Sequence, residues 1–520
     1  MSEQKRCKAA LDRRALFKGI TGGVVGLGVY LHGSRSSAAT PSTAGMKINP
    51  LAARLPIWKL KRPKPALPNS YFWTWDHSTN WMLDDPGMLN FGCDNRYLKQ
   101  AKTYVEDYRR LTDLAAGLGV KGIVIWGFLR DAHGGIDSAR RIVDYANTKG
   151  VAIMPGFGTN EYGGAYYEGA HPYNMMTFLQ KYPDARSIRE DGQPRRRDCV
   201  CPSHPRFVPW LQEGLHWIFK EFDIGGLNLE NGDFMMCHCA KCKSRREKWT
   251  ASDPDFWRHQ YLGYAPALEA IGGQSKNKLI TWATYKGFLK GNAPAGSFYE
   301  QRHAYMECDR PALLDKLPAE ALCQWTLTGM VRERPLPLTK YLDDGVPADS
   351  LASNKWPAAV KPPASRNTGF LHQGSQWGQR STRYDLVVGT IKEGCLRAYR
   401  AGLEGVSIHG EVSSMHVPWA LNYLAFSHFT HWPEDSLRQF GSKTLEAVLG
   451  SAEEGEAFAE LLAHWDAKTL SEQQKADLRQ RNAALRGDVL GGSHLERWRF
   501  WNWLAAMAEG GQDRQTVSVF

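Results

Sequence analysis

The stretch "WLQEGLHWIFKEFDIGGLNLE", Trp210 to Glu230, decides the fold class. Its first half places Trp210, Leu211, Leu215, Ile218 and Phe222 on one face at helical spacing. Two glycines then break that period, and "LNLE" follows as a short strand ending on a carboxylate. Working outward, the same rhythm recurs. Tyr104, Tyr108, Leu111 and Ala115 mark a helix closed by Gly117 and Gly119. After it, "VKGIVIWGF" is a nearly continuous apolar run of the kind parallel strands show when both faces are buried. Asp137 is expected to cap the helix "SARRIVDYANTKG", which leads into "VAIMPGFG". Helices alternating with short apolar strands argue for βα units around a parallel sheet.

Counting those strands separates a barrel from an open sheet. The candidates begin at Ser70, Gly122, Val151, Gly225, Lys278, Ala321, Thr368 and Gly405. Eight is the number that closes a barrel, so the expected class is α/β, a (β/α)8 TIM barrel. A doubly wound sheet would usually carry a glycine-rich phosphate turn after its first strand, and "SYFWTWDHSTNW" has none. Two loops are long, from Thr159 to about Asn174 and from Gly329 to Arg366. From Pro433 to about Glu509 the pattern is helical, with a capping box at Ser471 and Gln474. The expected organisation is an export signal over 1–39, a linker over 40–64, a catalytic barrel over 65–430 and a helical C-terminal extension over 431–520.

Residues 1–39 join "DRRALFK" to the apolar, glycine-rich "GITGGVVGLGVYL" and the small-residue stretch "SRSSAAT". This resembles a twin-arginine signal with Arg13 and Arg14 as its pair, and implies a periplasmic or secreted protein. The apolar run is shorter than the roughly 20 residues that span a bilayer, so no stable membrane insertion is expected. Of the net charge of +11, seven Lys/Arg against two Asp/Glu lie in this segment. The mild remainder forms no basic stripe, which argues against nucleic acid as a partner. Oligomeric state is not legible. Tryptophan, with 19 copies, points instead to carbohydrate, because an indole face stacks on a pyranose.

In a barrel the residues just past each strand converge on one face. They are Trp75, Asp76 and His77 after the first strand, Arg130, Asp131 and His133 after the second, and Asn160 and Glu161 after the third. Glu230 and Asp233 follow the fourth, Tyr285 the fifth, Trp325 the sixth, His372, Gln373 and Trp377 the seventh, and His409 and Glu411 the eighth. Carboxylates, imidazoles and indoles in one cup match what glycosidic bond cleavage needs. One acid protonates the leaving oxygen, while a second carboxylate attacks, stabilises or activates water. The catalytic candidates are Glu230, Asp233, Glu411 and Asp131, and no cofactor is required. Two other readings use the same cup: a carbohydrate-binding barrel without catalysis, and a metal-dependent hydrolase or lyase.

On these residues the chain resembles the (β/α)8-barrel glycoside hydrolases. More narrowly, "LNLENGDFMMCHCAKC", Leu227 to Cys242, is similar to a turn found in bacterial barrels distantly related to hexosaminidases and α-glucuronidases. The resemblance implies that Glu230, at the end of strand four, is the acid/base. It also implies a nucleophile after strand seven, where "FLHQGSQW" offers no carboxylate. Cys201, Cys237, Cys239 and Cys242 stand at short spacings that suit either a structural zinc or disulfides.

Overall fold

The computed structural model describes residues 60, 62–76, 100–195, 199–230, 236–247, 255–272, 279–284, 321–328, 336–348, 367–371, 386–409, 417–490 and 495–510. All lie in one compact unit, Arg54–Phe520. The strands are β1 (Tyr71–Trp75), β2 (Gly122–Trp126), β3 (Ala152–Phe157), β4 (Gly226–Glu230), β5 (Leu279–Thr284), β6 (Ala321–Thr328), β7 (Asn367–Leu371) and β8 (Val406–His409). They form one curled, all-parallel sheet with helices packed outside it, an α/β fold. Each strand pairs with the next and β8 pairs back to β1, so the hydrogen-bonded order closes.

Strand alternation divides the apolar residues into two cores. One parity, including Phe72, Ile123, Ile125, Ile153, Leu227, Leu229, Leu371 and Ile408, joins the helices in the main core. The other parity fills the interior with Tyr71, Trp73, Trp75, Val124, Trp126, Met154 and Phe370. This explains why "GIVIW" reads as continuous rather than alternating: both faces are buried. The interior is aromatic, and its indoles need acceptors. Asn228 on β4 supplies one, taking the Trp73 and Trp126 indole N–H groups at 3.1 and 3.0 Å. Its own amide donates to Gln324 on β6 at 3.4 Å, and Gln324 donates to Ser407 on β8 at 2.7 Å.

Helices α1 (Ala101–Leu118), α2 (Gly135–Thr148), α3 (Met175–Lys181), α4 (Phe207–Glu221), α5 (Ala240–Glu247) and α6 (Asp255–Gly272) follow the first four strands. Gly119 ends α1 in the left-handed conformation, φ 68°, as the sequence leads one to expect. The start of α2 differs: Gly134 caps it, and Asp137 lies within its first turn. The reason is the 3₁₀ turn Asp131–His133, which delivers the chain to the helix three residues earlier than a cap at Asp137 would. On α4, Phe207, Trp210, Leu211, Gly214, Leu215 and Ile218 are buried, the face read from the sequence.

After β7 comes α7 (Val388–Arg400), and after β8 comes α8 (Val417–His431), buried along its whole length. A helix apolar all round must be covered on every side. Tyr423 packs edge-on against Phe72 of β1, with ring centroids 4.8 Å apart, while Phe429 meets Phe440 at 5.8 Å. Helices α9 (Ala452–Asp466), α10 (Glu472–Leu490) and α11 (Leu495–Ala508) complete the chain's described C-terminal part. Both bonds of the Ser471/Gln474 capping box are present, at 2.9 and 3.2 Å.

Candidate functional site at the carboxyl ends of the strands

β1 delivers Trp75 to the rim and turns at Asp76, whose backbone N–H donates to the Trp126 carbonyl at 2.7 Å. The Asp76 carboxylate is sealed from solvent, 0% exposed, against Arg130 at 1%. Arg130 Nε lies 2.5 Å from Asp76 Oδ2, and His133 Nδ1 lies 3.4 Å from the same oxygen. The other end of the guanidinium pairs with Glu168 of the third loop, and its plane sits 4.7 Å from the Tyr167 ring. The Tyr104 ring backs His133 at 4.6 Å. Gly127 makes this approach available. Its φ is +77°, and a Cβ there would stand 2.6 Å from Asp76 Cγ.

Asp76, Arg130 and His133 are thus brought together as a buried charge network. Asp131, the next residue, is exposed and turns away from it. Its carboxylate accepts from the Tyr166 hydroxyl and from the Ala170 N–H at 2.9 Å, tying down the third loop. Burial, then the Asp131 hydrogen bond, pushes the Tyr166 phenol well up. Asn160 and Glu161 are also buried, and they join the loop to the Cys199 segment. Val200 N–H donates to the Asn160 carbonyl at 2.9 Å, and Glu161 forms an antiparallel bridge with Cys199.

The floor under this rim is aromatic. Trp73 packs against Trp126 at 5.6 Å and edge-on against His409 of β8 at 4.5 Å. Tyr162 closes over Trp126 at 5.6 Å and Trp75 at 6.3 Å, and Tyr167 meets Trp75 at 6.3 Å. A Cβ on Gly156 would strike the Trp126 indole at 2.3 Å, so that glycine sets the depth of the floor.

Glu230 is the last residue of β4 and pairs with Ala283, which continues through Gln324 to Thr368. Gln324 belongs to the interior, as its bonds to Asn228 and Ser407 show. Position 230 therefore shares the interior register of Asn228, two residues earlier. Trp325, paired with Thr284 and Gly369, falls in the opposite register set. Asp233, Glu411, His77, Tyr285, His372, Gln373 and Trp377 lie outside the described residues.

Beside this rim, Cys201, Cys237, Cys239 and Cys242 bring their sulfurs within 4.8 Å of one another. Among the described residues theirs is the group of side chains arranged to hold a metal ion. Cys201 Sγ stands 3.6 Å from Cys239 Sγ and 3.5 Å from Cys242 Sγ, against about 2.05 Å for a disulfide bond.

Sequence reasoning passed over Asn228, Tyr162, Tyr167 and Glu168. Asn228 left a signal, an amide inside an otherwise apolar strand. The other three sit in the long third loop, of which only Asn160 and Glu161 are candidates from sequence.

No family model matches the chain, and no curated protein matches it. Solved structures do, distantly. The β-N-acetylhexosaminidase from Bacteroides fragilis is 13% identical, with 72% of this chain and 71% of that one covered and a TM-score of 0.34. α-L-Fucosidase isoenzyme 2 from Paenibacillus thiaminolyticus is 13% identical, over 69% of this chain and 48% of that one, with a TM-score of 0.38. The structure titled CpGH84B is 8% identical, over 86% and 69%, with a TM-score of 0.41. No residue role is carried over from any of them.

Proposed function

We propose that the chain is an exported glycoside hydrolase, built on a (β/α)8 barrel, that cleaves an oligosaccharide or polysaccharide at the carboxyl rim of the strands. One observation carries this reading: Glu230 ends β4 in the interior register, above a floor of Trp73, Trp75 and Trp126. Aromatic rings below a strand-end acid suit a sugar ring, whose C–H face packs on an aromatic plane while an acid protonates the glycosidic oxygen. Glu230 is the proposed proton donor. Its partner is assigned to Asp233 or Glu411, because the Asp131 carboxylate is engaged by Tyr166 and Ala170. The sealed Asp76–Arg130 pair is read as a brace for the rim, holding the β1 and β2 turns in place while the acid works. Arg13 and Arg14 with the apolar run behind them support export.

The test is Glu230→Gln assayed on a panel of aryl glycosides and oligosaccharides. Loss of a general acid lowers turnover roughly 10²–10⁴-fold with an unchanged circular dichroism spectrum. Near-normal turnover in that variant sinks the assignment.

A further inference from the structure

We infer that Cys201, Cys237, Cys239 and Cys242 form a structural zinc site that clamps the loop after β4 to the segment preceding α4. The site stands on its own geometry and does not depend on the glycosidase reading.

The four thiols come from two separated segments. Cys201 follows the Cys199–Val200 bridge strand, while Cys237, Cys239 and Cys242 lead into and through the first turn of α5. They make a small cluster apart from both apolar cores, with Ile188 as the one aliphatic neighbour among the described residues. So few apolar atoms supply little hydrophobic stabilisation, yet Cys237 and Cys242 are fully sealed. Hydrogen bonds tie these segments, His238 N–H to the Ile188 carbonyl at 2.9 Å and Cys201 N–H to the Ala185 carbonyl at 2.7 Å, and the grouped sulfurs point to a further tie. Cys201 has Cys237 beside it as well as Cys242 and Cys239 at nearly equal distances, 3.5 and 3.6 Å, so no single disulfide partner is selected. Four sulfurs at about 2.3 Å from one zinc lie about 3.8 Å apart at the tetrahedral angle. The two spacings from Cys201 are close to that edge, and all four sulfurs lie within 4.8 Å of one another. Theirs is also an all-sulfur donor set, which favours zinc over hard cations.

The surroundings suit thiolates. Ile188 N–H points at Cys237 Sγ at 3.3 Å, and Cys242 N–H at Cys239 Sγ at 3.4 Å. Ser203 Oγ lies 3.0 Å from Cys242 Sγ, where its hydroxyl can donate once that sulfur has lost its proton. These donors orient the sulfurs and spread the net charge of −2 that four thiolates leave around Zn²⁺. Lys241, Lys243 and Arg245 on α5 add positive charge nearby, and Arg245 donates to the Pro202 carbonyl at 3.0 Å. Loading forms four Zn–S bonds and releases one proton from each thiol that carried one. Two neighbours are not ligands: His204 Nε2 pairs with Asp184 at 3.2 Å, and Cys199 lies beside Asn160.

The full-length chain, purified without chelator or added metal, should carry about one zinc per chain by elemental mass spectrometry. Its intact mass under denaturing conditions should show the four thiols reduced. Cys201→Ser and Cys242→Ser should each drop the zinc to background, whereas Cys199→Ser should leave it unchanged. Cobalt exchanged for zinc should give the absorption bands of a tetrahedral thiolate complex, lost in Cys242→Ser. A wild-type chain free of zinc, iron in its place, or a mass lighter by two hydrogens per disulfide within the cluster would each overturn the inference. Should the serine variants fail to fold, the wild-type stoichiometry and mass still decide.

Discussion

Asp76 and Arg130 meet at 2.5 Å across the β1 and β2 turns with both side chains sealed from solvent. Removing one member leaves the other charged and desolvated, which typically costs about 3–5 kcal/mol. Arg130→Met should therefore destabilise the protein by about that amount in urea unfolding. The double variant Asp76→Leu/Arg130→Met should recover most of the loss, because no orphan charge remains. A single substitution as mild as the double would show that the pair is not desolvated in solution.

Asn228 stands where two indole N–H groups converge, and no other described side chain is shown accepting from Trp73 or Trp126. Asn228→Leu keeps the volume but orphans both donors, each worth about 1–3 kcal/mol when buried unsatisfied. A loss of about 3 kcal/mol is expected, together with a shift in tryptophan emission as the interior repacks. Retention of wild-type stability would mean that the network contributes nothing net.

His428, on α8, is held at about 4 by burial, against 6.5 for a free histidine, although Asp435 opposes the shift from 3.3 Å. Lys392 and Lys443 work with burial. As pH falls below 6.5 the unfolded chain takes up a proton that the folded chain refuses. Stability is thus complete above 6.5 and is lost down to about 4, by up to about 3 kcal/mol from this one group. Urea unfolding at pH 7, 5.5 and 4.5 should show the decline. His428→Asn should flatten it, leaving the part due to His431, which burial also holds at about 4. A slope equal to the wild type's in that variant would count against His428.

How much of this was legible follows from the range of each interaction. The α4 face, the β2 run and the glycine after α1 are local patterns, and all appear where their spacing puts them. The parity that makes Asn228 interior is local too. What it bonds is not, since Trp73 lies 155 residues away and Gln324 lies 96. Asp76 looks like any strand-end carboxylate until Arg130 and Gly127, from the next turn, close over it. The Asp137 cap failed for a related reason, because the preceding 3₁₀ turn set the helix start. Asp131 and Asp76 read alike in sequence, yet Asp131 is exposed and held by Tyr166 and Ala170 of loop three, while Asp76 is sealed by Arg130.

Tyr162 takes a left-handed φ of 57°, a conformation that costs a residue with a Cβ roughly 1–2 kcal/mol. Such strain persists where the side chain is needed in place, and here the ring stands half-buried over Trp126 and Trp75. If Tyr162 serves a sugar subsite, Tyr162→Asn separates the two roles, because asparagine tolerates this backbone but offers no ring. Stability in urea should stay within about 1 kcal/mol of wild type, while oligosaccharide affinity by calorimetry should fall by roughly tenfold, the loss of one aromatic stacking contact. Tyr162→Phe should keep the affinity. A large loss of stability with affinity intact would assign the ring to the core and remove it from the site.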